Sequence, residues 1–219
     1  MATIIDSSRD FCNQDKQVLF SRISDDLAKQ GYSANVNALP LGLAKQLSLH
    51  LSTMSQESFQ AAAIGRDKKH VHNTLERSQK QSWICDDSPA NSSWLKWAGE
   101  LQGYLNQRLF LGLFSFESHY AHYSRGDFYK RHYDSFKGQS SRRLSIVVYL
   151  NQDWLAGDGG ELVLYKDRQD QIGLKVIPSF ATVVVFLSEE HPHEVLPAHR
   201  DRYSIAGWYS PISTRLQQH

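Results

Sequence analysis

Apolar residues recur at helical spacing through the first half of the chain and at alternating spacing through the second. Leu19, Ile23 and Leu27 repeat every four residues, with Asn13 ahead of them as a cap and Gly31 behind them as a stop, which predicts a first helix. Pro40 suits the first turn of a second helix, whose stripe is Leu43, Leu47, Leu51 and Met54. A third, capped by Ser92 or Ser93, presents Trp94, Trp97, Leu101, Tyr104 and Leu105. Between the second and third helices the polar segment 65–82, which holds His70 and His72, reads as a mobile surface loop.

From Phe114 onward the period drops to two, predicting strands at 115–123, 143–151, 161–166, 173–177, 181–188, 193–196 and 202–209. Asp158-Gly159-Gly160 and the polar stretch 167–173 read as turns between them. Helices first and strands later favour a segregated α+β fold, a β-sandwich or barrel braced by helices, over an alternating α/β sheet. The organisation expected is one domain over 1–219, with helical support in 1–113 and a β-core in 114–213.

Composition narrows the class. The 219 residues carry 24 Lys and Arg against 23 Asp and Glu, too little sign excess to draw the chain onto nucleic acid or an anionic membrane. Cys12 and Cys85 match no metal or redox spacing, so a reducing compartment is expected, with the cytoplasm as the default. Met1 to Phe11 carries three charged residues and no apolar run, so no secretory leader is expected, and no uninterrupted apolar run is long enough to span a membrane.

The candidate chemistry starts at His132-Tyr-Asp134. On a strand, residues two apart face one side, so imidazole and carboxylate can share an ion. Ten histidines and fifteen aspartates give about 0.7 such triplets by chance, and His199-Arg-Asp201 is a second one. The first is preferred for its sequel: His193 follows an apolar strand and Arg202 lies nine residues further on, whereas only His219 follows the second. His191 is the rival to His193, set in the loop before the strand. Two histidines and a carboxylate form the facial triad of non-haem Fe(II) oxygenases, whose open positions can take a bidentate 2-oxo acid and O2. Arg202 offers a fork for the co-substrate's distal carboxylate and Tyr149 a further donor, although an edge salt bridge from Arg202 to Glu194 or Asp201 is a competing account. Ser145, Val147 and Tyr149 share one strand face, as do Arg202, Ser204, Ala206 and Trp208; mixed polar and apolar faces suit a ligand cavity.

These residues resemble the 2-oxoglutarate and Fe(II)-dependent oxygenases, and within them the prolyl 4-hydroxylases of the oxygen-sensing type. The resemblance runs through Tyr123 to Asp134, Ser145 to Asn151, Gly159-Gly160-Glu-Leu162, Pro192-His193-Glu-Val195 and Arg202 to Tyr209. It implies a double-stranded β-helix, the jelly-roll or cupin-like core, braced by the N-terminal helices. It implies iron on His132, Asp134 and His193, 2-oxoglutarate held by Arg202 and Tyr149, and Tyr123 beside both. Tyr129 and Trp208 would shape the entry of a prolyl ring, with Arg142 at the cavity mouth. The family pairs that arginine with an aspartate in the mobile loop, where this chain has Gln79. The activity implied is hydroxylation of a prolyl residue in a protein, with a translation elongation factor as an expected client, succinate and CO2 as co-products and ascorbate as a supporting reductant. The alternatives are an oxygenase of free proline or another small molecule, and a cupin-like metal-binding sensor without turnover.

Overall fold

The computed structural model describes residues 7–61, 77–135 and 142–211; His70, His72 and most of the segment 65–82 lie outside them. Three helices precede nearly all of the β-structure: α1 (Ser7–Gln30), α2 (Leu41–Thr53) and α3 (Pro89–Leu109). All three expected stripes are present, but the caps differ. Helix α1 starts at Ser7 and runs through Asn13, a residue whose cost inside a helix is only about 0.7 kcal/mol. Pro40 is the residue before α2 rather than part of its first turn. Helix α3 is capped by Ser88, whose Oγ accepts from the Asn91 amide with Pro89 in the first turn. Ser92 and Ser93 sit inside the helix, donating to the carbonyls of Ser88 and Pro89. Ser-Pro wins because proline needs no amide partner at that position and its fixed φ already suits a helix.

Eleven strands are described: β1 (Tyr32–Asn35), β2 (Gln60–Ala61), β3 (Lys80–Trp83), β4 (Leu113–Tyr123), β5 (Tyr129–His132), β6 (Leu144–Tyr149), β7 (Leu162–Leu164), β8 (Leu174–Val176), β9 (Val183–Leu187), β10 (His193–Val195) and β11 (Arg202–Pro211). They form a larger sheet in the order β1-β9-β6-β11-β4-β3-β2 and a smaller one in the order β5-β10-β7-β8, with every pairing between them antiparallel. This is the double-stranded β-helix expected. The seven expected strands are all present; β1, β2, β3 and β5 are additional. Residues 77 and 80–82 are therefore not loop: Arg77 bridges to Tyr129, and β3 pairs along β4.

Alternation divides the large sheet into two faces. Its outer face, with Tyr120, Leu144, Ile146, Val148, Ile205 and Tyr209, packs on the helices. Three hydrogen bonds pin α3 there: Trp94 Nε1 to Ser118 Oγ, Tyr120 Oη to Asn91 Oδ1 and Tyr209 Oη to the Ala98 carbonyl. The inner face, with Ala121, Tyr123, Tyr149, Val184 and Phe186, looks toward Leu162, Leu164, Val176 and Val195 of the smaller sheet. Register carries the sequence parity across strands: Arg202 lies opposite Tyr123, Ser204 opposite Ala121 and Tyr149, Ala206 opposite His119 and Val147, and Trp208 opposite Glu117 and Ser145. No helix among the described residues is long and apolar enough to cross a membrane.

Candidate functional site

His132 closes β5 and His193 opens β10, and the two are direct partners across that antiparallel pair. Asp134 lies in the bend just past β5, not on the strand itself, and its two oxygens divide between the imidazoles: Oδ1 is 3.6 Å from His132 Nε2 and Oδ2 is 3.6 Å from His193 Nε2. All three ligand atoms lie within 4.8 Å of one another, and no other trio of His, Cys, Asp or Glu among the described residues does so.

Hydrogen bonds set the imidazoles up as ligands. His132 Nδ1 is 2.7 Å from the Lys130 carbonyl and His193 Nδ1 is 3.2 Å from the His191 carbonyl. A carbonyl only accepts, so each Nδ1 donates and each Nε2 is the ring nitrogen turned toward Asp134. Tyr129 stacks on His132 at 3.6 Å between centroids, and Phe186 meets His193 edge-on at 4.7 Å, so both rings are held in place. Burial pushes the His193 imidazole down to about 4, with His132 adding to the shift and Asp134 opposing it. Burial alone would raise the Asp134 carboxyl, but the two imidazoles and the Ser145 hydroxyl outweigh it and hold the group well below the usual carboxylate range. Ser145 Oγ donates to Asp134 Oδ2 at 2.7 Å and, its only proton spent, accepts from Ser188 Oγ at 2.8 Å. The site thus gathers two imidazole nitrogens and one carboxylate, a donor set suited to a divalent transition metal.

Behind it lies a cation without a counter-ion among the described residues. Arg202 is 1% exposed, and its hydrogen-bond partners are neutral: Nε donates to the Gly160 carbonyl at 2.8 Å and Nη1 to Ser204 Oγ at 3.3 Å. Neither rival acid takes it, since Glu194 accepts from Tyr165 and Asp201 sits beside His122. The guanidinium carbon lies 4.7 Å from the Tyr123 ring centroid and 5.0 Å from that of Tyr149. The Tyr149 hydroxyl is buried with no hydrogen-bond acceptor, and burial pushes the phenol up to about 12 against the pull of Arg202. A buried guanidinium and an orphaned phenol side by side fit a carboxylate, as the distal end of 2-oxoglutarate requires. Gly160 makes the approach possible: at φ +67° it takes a left-handed turn, and a Cβ there would meet Arg202 Cδ at 2.9 Å.

The Arg142 guanidinium carbon lies 3.6 Å from the Trp208 ring centroid, and the group is held by Glu117 Oε1 at 3.0 Å from Nη2 and 3.3 Å from Nε. The acid that orders Arg142 therefore comes from β4 and not from the loop position of Gln79, which is buried just before β3. His191 is outside the cluster, with Nδ1 on the Tyr165 carbonyl and its ring edge-on to Tyr32, and His199 is held by the Gly157 carbonyl. Sequence reasoning missed Ser145 as the group that orients Asp134 and Glu117 as the partner of Arg142. Both lie at alternating positions on cavity-facing strands, which is the one signal that could have found them.

Two imidazoles and a carboxylate converging inside a double-stranded β-helix that also buries an arginine define a facial-triad Fe(II) oxygenase. Comparison with known proteins agrees. Residues 118–210 match the family model of the 2OG-Fe(II) oxygenase superfamily. A prolyl-4-hydroxylase structure from Pseudomonas putida is 35% identical, aligned over 89% of this chain and 99% of that one with a TM-score of 0.77. A Trichoplax adhaerens prolyl hydroxylase, solved with a hypoxia inducible factor peptide fragment, is 25% identical over 94% of this chain and 95% of that one, with a TM-score of 0.80. Egl nine homolog 1 of Homo sapiens is 37% identical over 94 residues, 42% of this chain and 22% of that protein. The match thus spans about a quarter of such curated relatives. The chain belongs to the 2OG-Fe(II) oxygenase superfamily and, within it, to the prolyl 4-hydroxylase family, whose cofactors are Fe(II), 2-oxoglutarate and O2.

Proposed function

We propose that this chain hydroxylates a prolyl residue of a protein. The observation that carries the reading is the His132, Asp134 and His193 cluster set in front of the carboxylate-ready pair Arg202 and Tyr149, in a chain of this family. His132, Asp134 and His193 hold the iron, and Ser145 keeps the carboxylate turned toward it. Arg202 binds and orients the 5-carboxylate of the co-substrate, and Tyr149 donates to the same group. Bound there, Fe(II) with 2-oxoglutarate and O2 supplies the oxidant for a C–H bond, and succinate and CO2 leave as co-products. Tyr123 walls the pocket beside Arg202 and excludes water from it. Tyr129, stacked on His132, and Trp208, fixed under Arg142, shape the place where the prolyl ring enters. Ascorbate serves as supporting reductant, and a reducing, cytoplasmic setting suits the free, exposed Cys85. The resemblance to bacterial members makes a translation elongation factor the first client to assay.

The experiment is mass spectrometry of cellular protein incubated with the purified chain, iron, 2-oxoglutarate and air, then digested. One added oxygen on a proline of an identifiable peptide is expected. Oxygen confined to lysine or asparagine, or found only on free proline, overturns the substrate assignment.

A further inference from the structure

His119 has no part in the site described so far, yet it faces the same cavity. On β4 it alternates with Glu117, Ala121 and Tyr123, and it is buried at 4% exposure. Its ring is bracketed by two indoles, Trp83 edge-on at 5.2 Å and Trp208 tilted at 5.3 Å. Its cross-strand neighbour on β11 is Ala206, and Ala121, the next residue on that face of β4, lies opposite Ser204 on the side of Arg202. Two small side chains thus adjoin the imidazole on the inner face of the large sheet. Nδ1 of His119 is buried with no hydrogen-bond partner. A buried imidazole nitrogen is costly to leave unmatched, and on the wall of a cavity a ligand group is a partner that can match it.

We propose that His119 is a substrate-positioning residue: from the mouth of the pocket its imidazole hydrogen-bonds a main-chain amide group of the peptide beside the reacting proline. The inference rests on the peptidyl-proline reading of the site. A main-chain group is the fitting partner because the imidazole is neutral. Burial pushes it down to about 3, and the charges of Arg77 and Arg142 act in the same sense against Asp134. Arg142 is meanwhile already matched by Glu117, so this corner presents no unmatched pair calling for a charged side chain. A free amino acid lacks the flanking amide, so the same contact distinguishes a peptide from proline itself.

The test uses the full chain loaded with iron and 2-oxoglutarate, and a synthetic peptide spanning the proline found hydroxylated in the digest. His119→Leu is expected to raise the KM for that peptide about tenfold while kcat changes little, since one neutral hydrogen bond and one stranded amide are lost. His119→Gln, which keeps a donor and an acceptor, is expected to stay within about threefold of the parent. Peptide binding measured without oxygen, through quenching of tryptophan fluorescence, should move with KM. The visible band of the iron and co-substrate complex reports that the metal site is intact in each variant. If the leucine variant does not fold, His119→Met fills the same space without a strong hydrogen-bonding group and replaces it. A parental KM in the apolar variant, or a glutamine variant as impaired as leucine, overturns the proposal, the latter by assigning His119 to packing alone. Absence of any hydroxylated peptide with the parent protein removes the peptidyl-proline reading, and this inference falls with it.

Discussion

Arg202→Met separates a binding role from a structural one because the two roles predict opposite signs. The guanidinium is 1% exposed and donates to neutral groups, the Gly160 carbonyl and Ser204 Oγ. Burying an ion without a counter-ion costs about several kcal/mol, whereas the hydrogen bonds it makes here return only about 1–3 kcal/mol each. Methionine fills similar space, strands one carbonyl at a cost of about 1–3 kcal/mol and removes the ion. In the absence of iron and co-substrate, the variant should therefore match the parent or exceed its stability by up to about 2 kcal/mol in urea unfolding. Binding moves the other way. Removing the cation from a buried carboxylate pair costs at least about 3 kcal/mol, about 100-fold in the affinity for 2-oxoglutarate. Titration of iron-loaded protein without oxygen, followed through the visible band, measures that affinity directly. Co-substrate affinity within about threefold of the parent would move the anchor elsewhere. A stability loss of more than about 2 kcal/mol would show that Arg202 holds the fold itself.

Ser145→Ala should weaken metal binding about tenfold in an equilibrium titration, because Asp134 loses the donor that turns it; unchanged affinity would mean the imidazoles hold it unaided. Gly160→Ala should lower stability by about 1–2 kcal/mol through the left-handed turn, and should also raise the co-substrate KM by displacing Arg202, from which its Cβ would stand only 2.9 Å. A stability loss with the KM unchanged would mean that Arg202 tolerates the shift. Metal-free protein should lose stability as pH falls from 6.5 toward 4. In that window the unfolded chain protonates His119 and His193, whereas the fold holds them down to about 3 and about 4. Each contributes up to about 1 kcal/mol per pH unit, so His119→Leu should flatten the decline in urea midpoints; an equally steep variant would remove burial of His119 as the cause.

What could be read from the chain divides along the two faces of the large sheet. The outer face carries Leu144, Ile146, Val148 and Ile205 against stripes such as Leu47, Trp94 and Leu101, and there hydropathy alone locates strands and helices. The convergence of the candidate metal ligands was legible for another reason. His132, Asp134 and His193 belong to few residue types, and the order of His-x-Asp, late histidine and strand arginine narrows the choice although each part alone is common. The strands that escaped detection are those with polar cavity or edge faces. β3 reads Lys-Gln-Ser-Trp and β5 reads Tyr-Lys-Arg-His, sequences that suggest a surface loop, yet Gln79 is buried just before β3 and His132 ends β5 as a metal-site residue. Polar residues there have a wall to form instead of a core to fill, so the periodicity that marks a strand is erased where the ligand is to sit. The pairing of Arg142 with Glu117 was hidden for a related reason. Their contact joins residues 25 apart in sequence, one on β4 and one just before β6, the two strands that flank β11, and only register brings them together beside Trp208. In a β-helix enzyme of this kind, a polar segment lying between apolar elements is thus better weighed as part of the cavity wall before it is assigned to solvent.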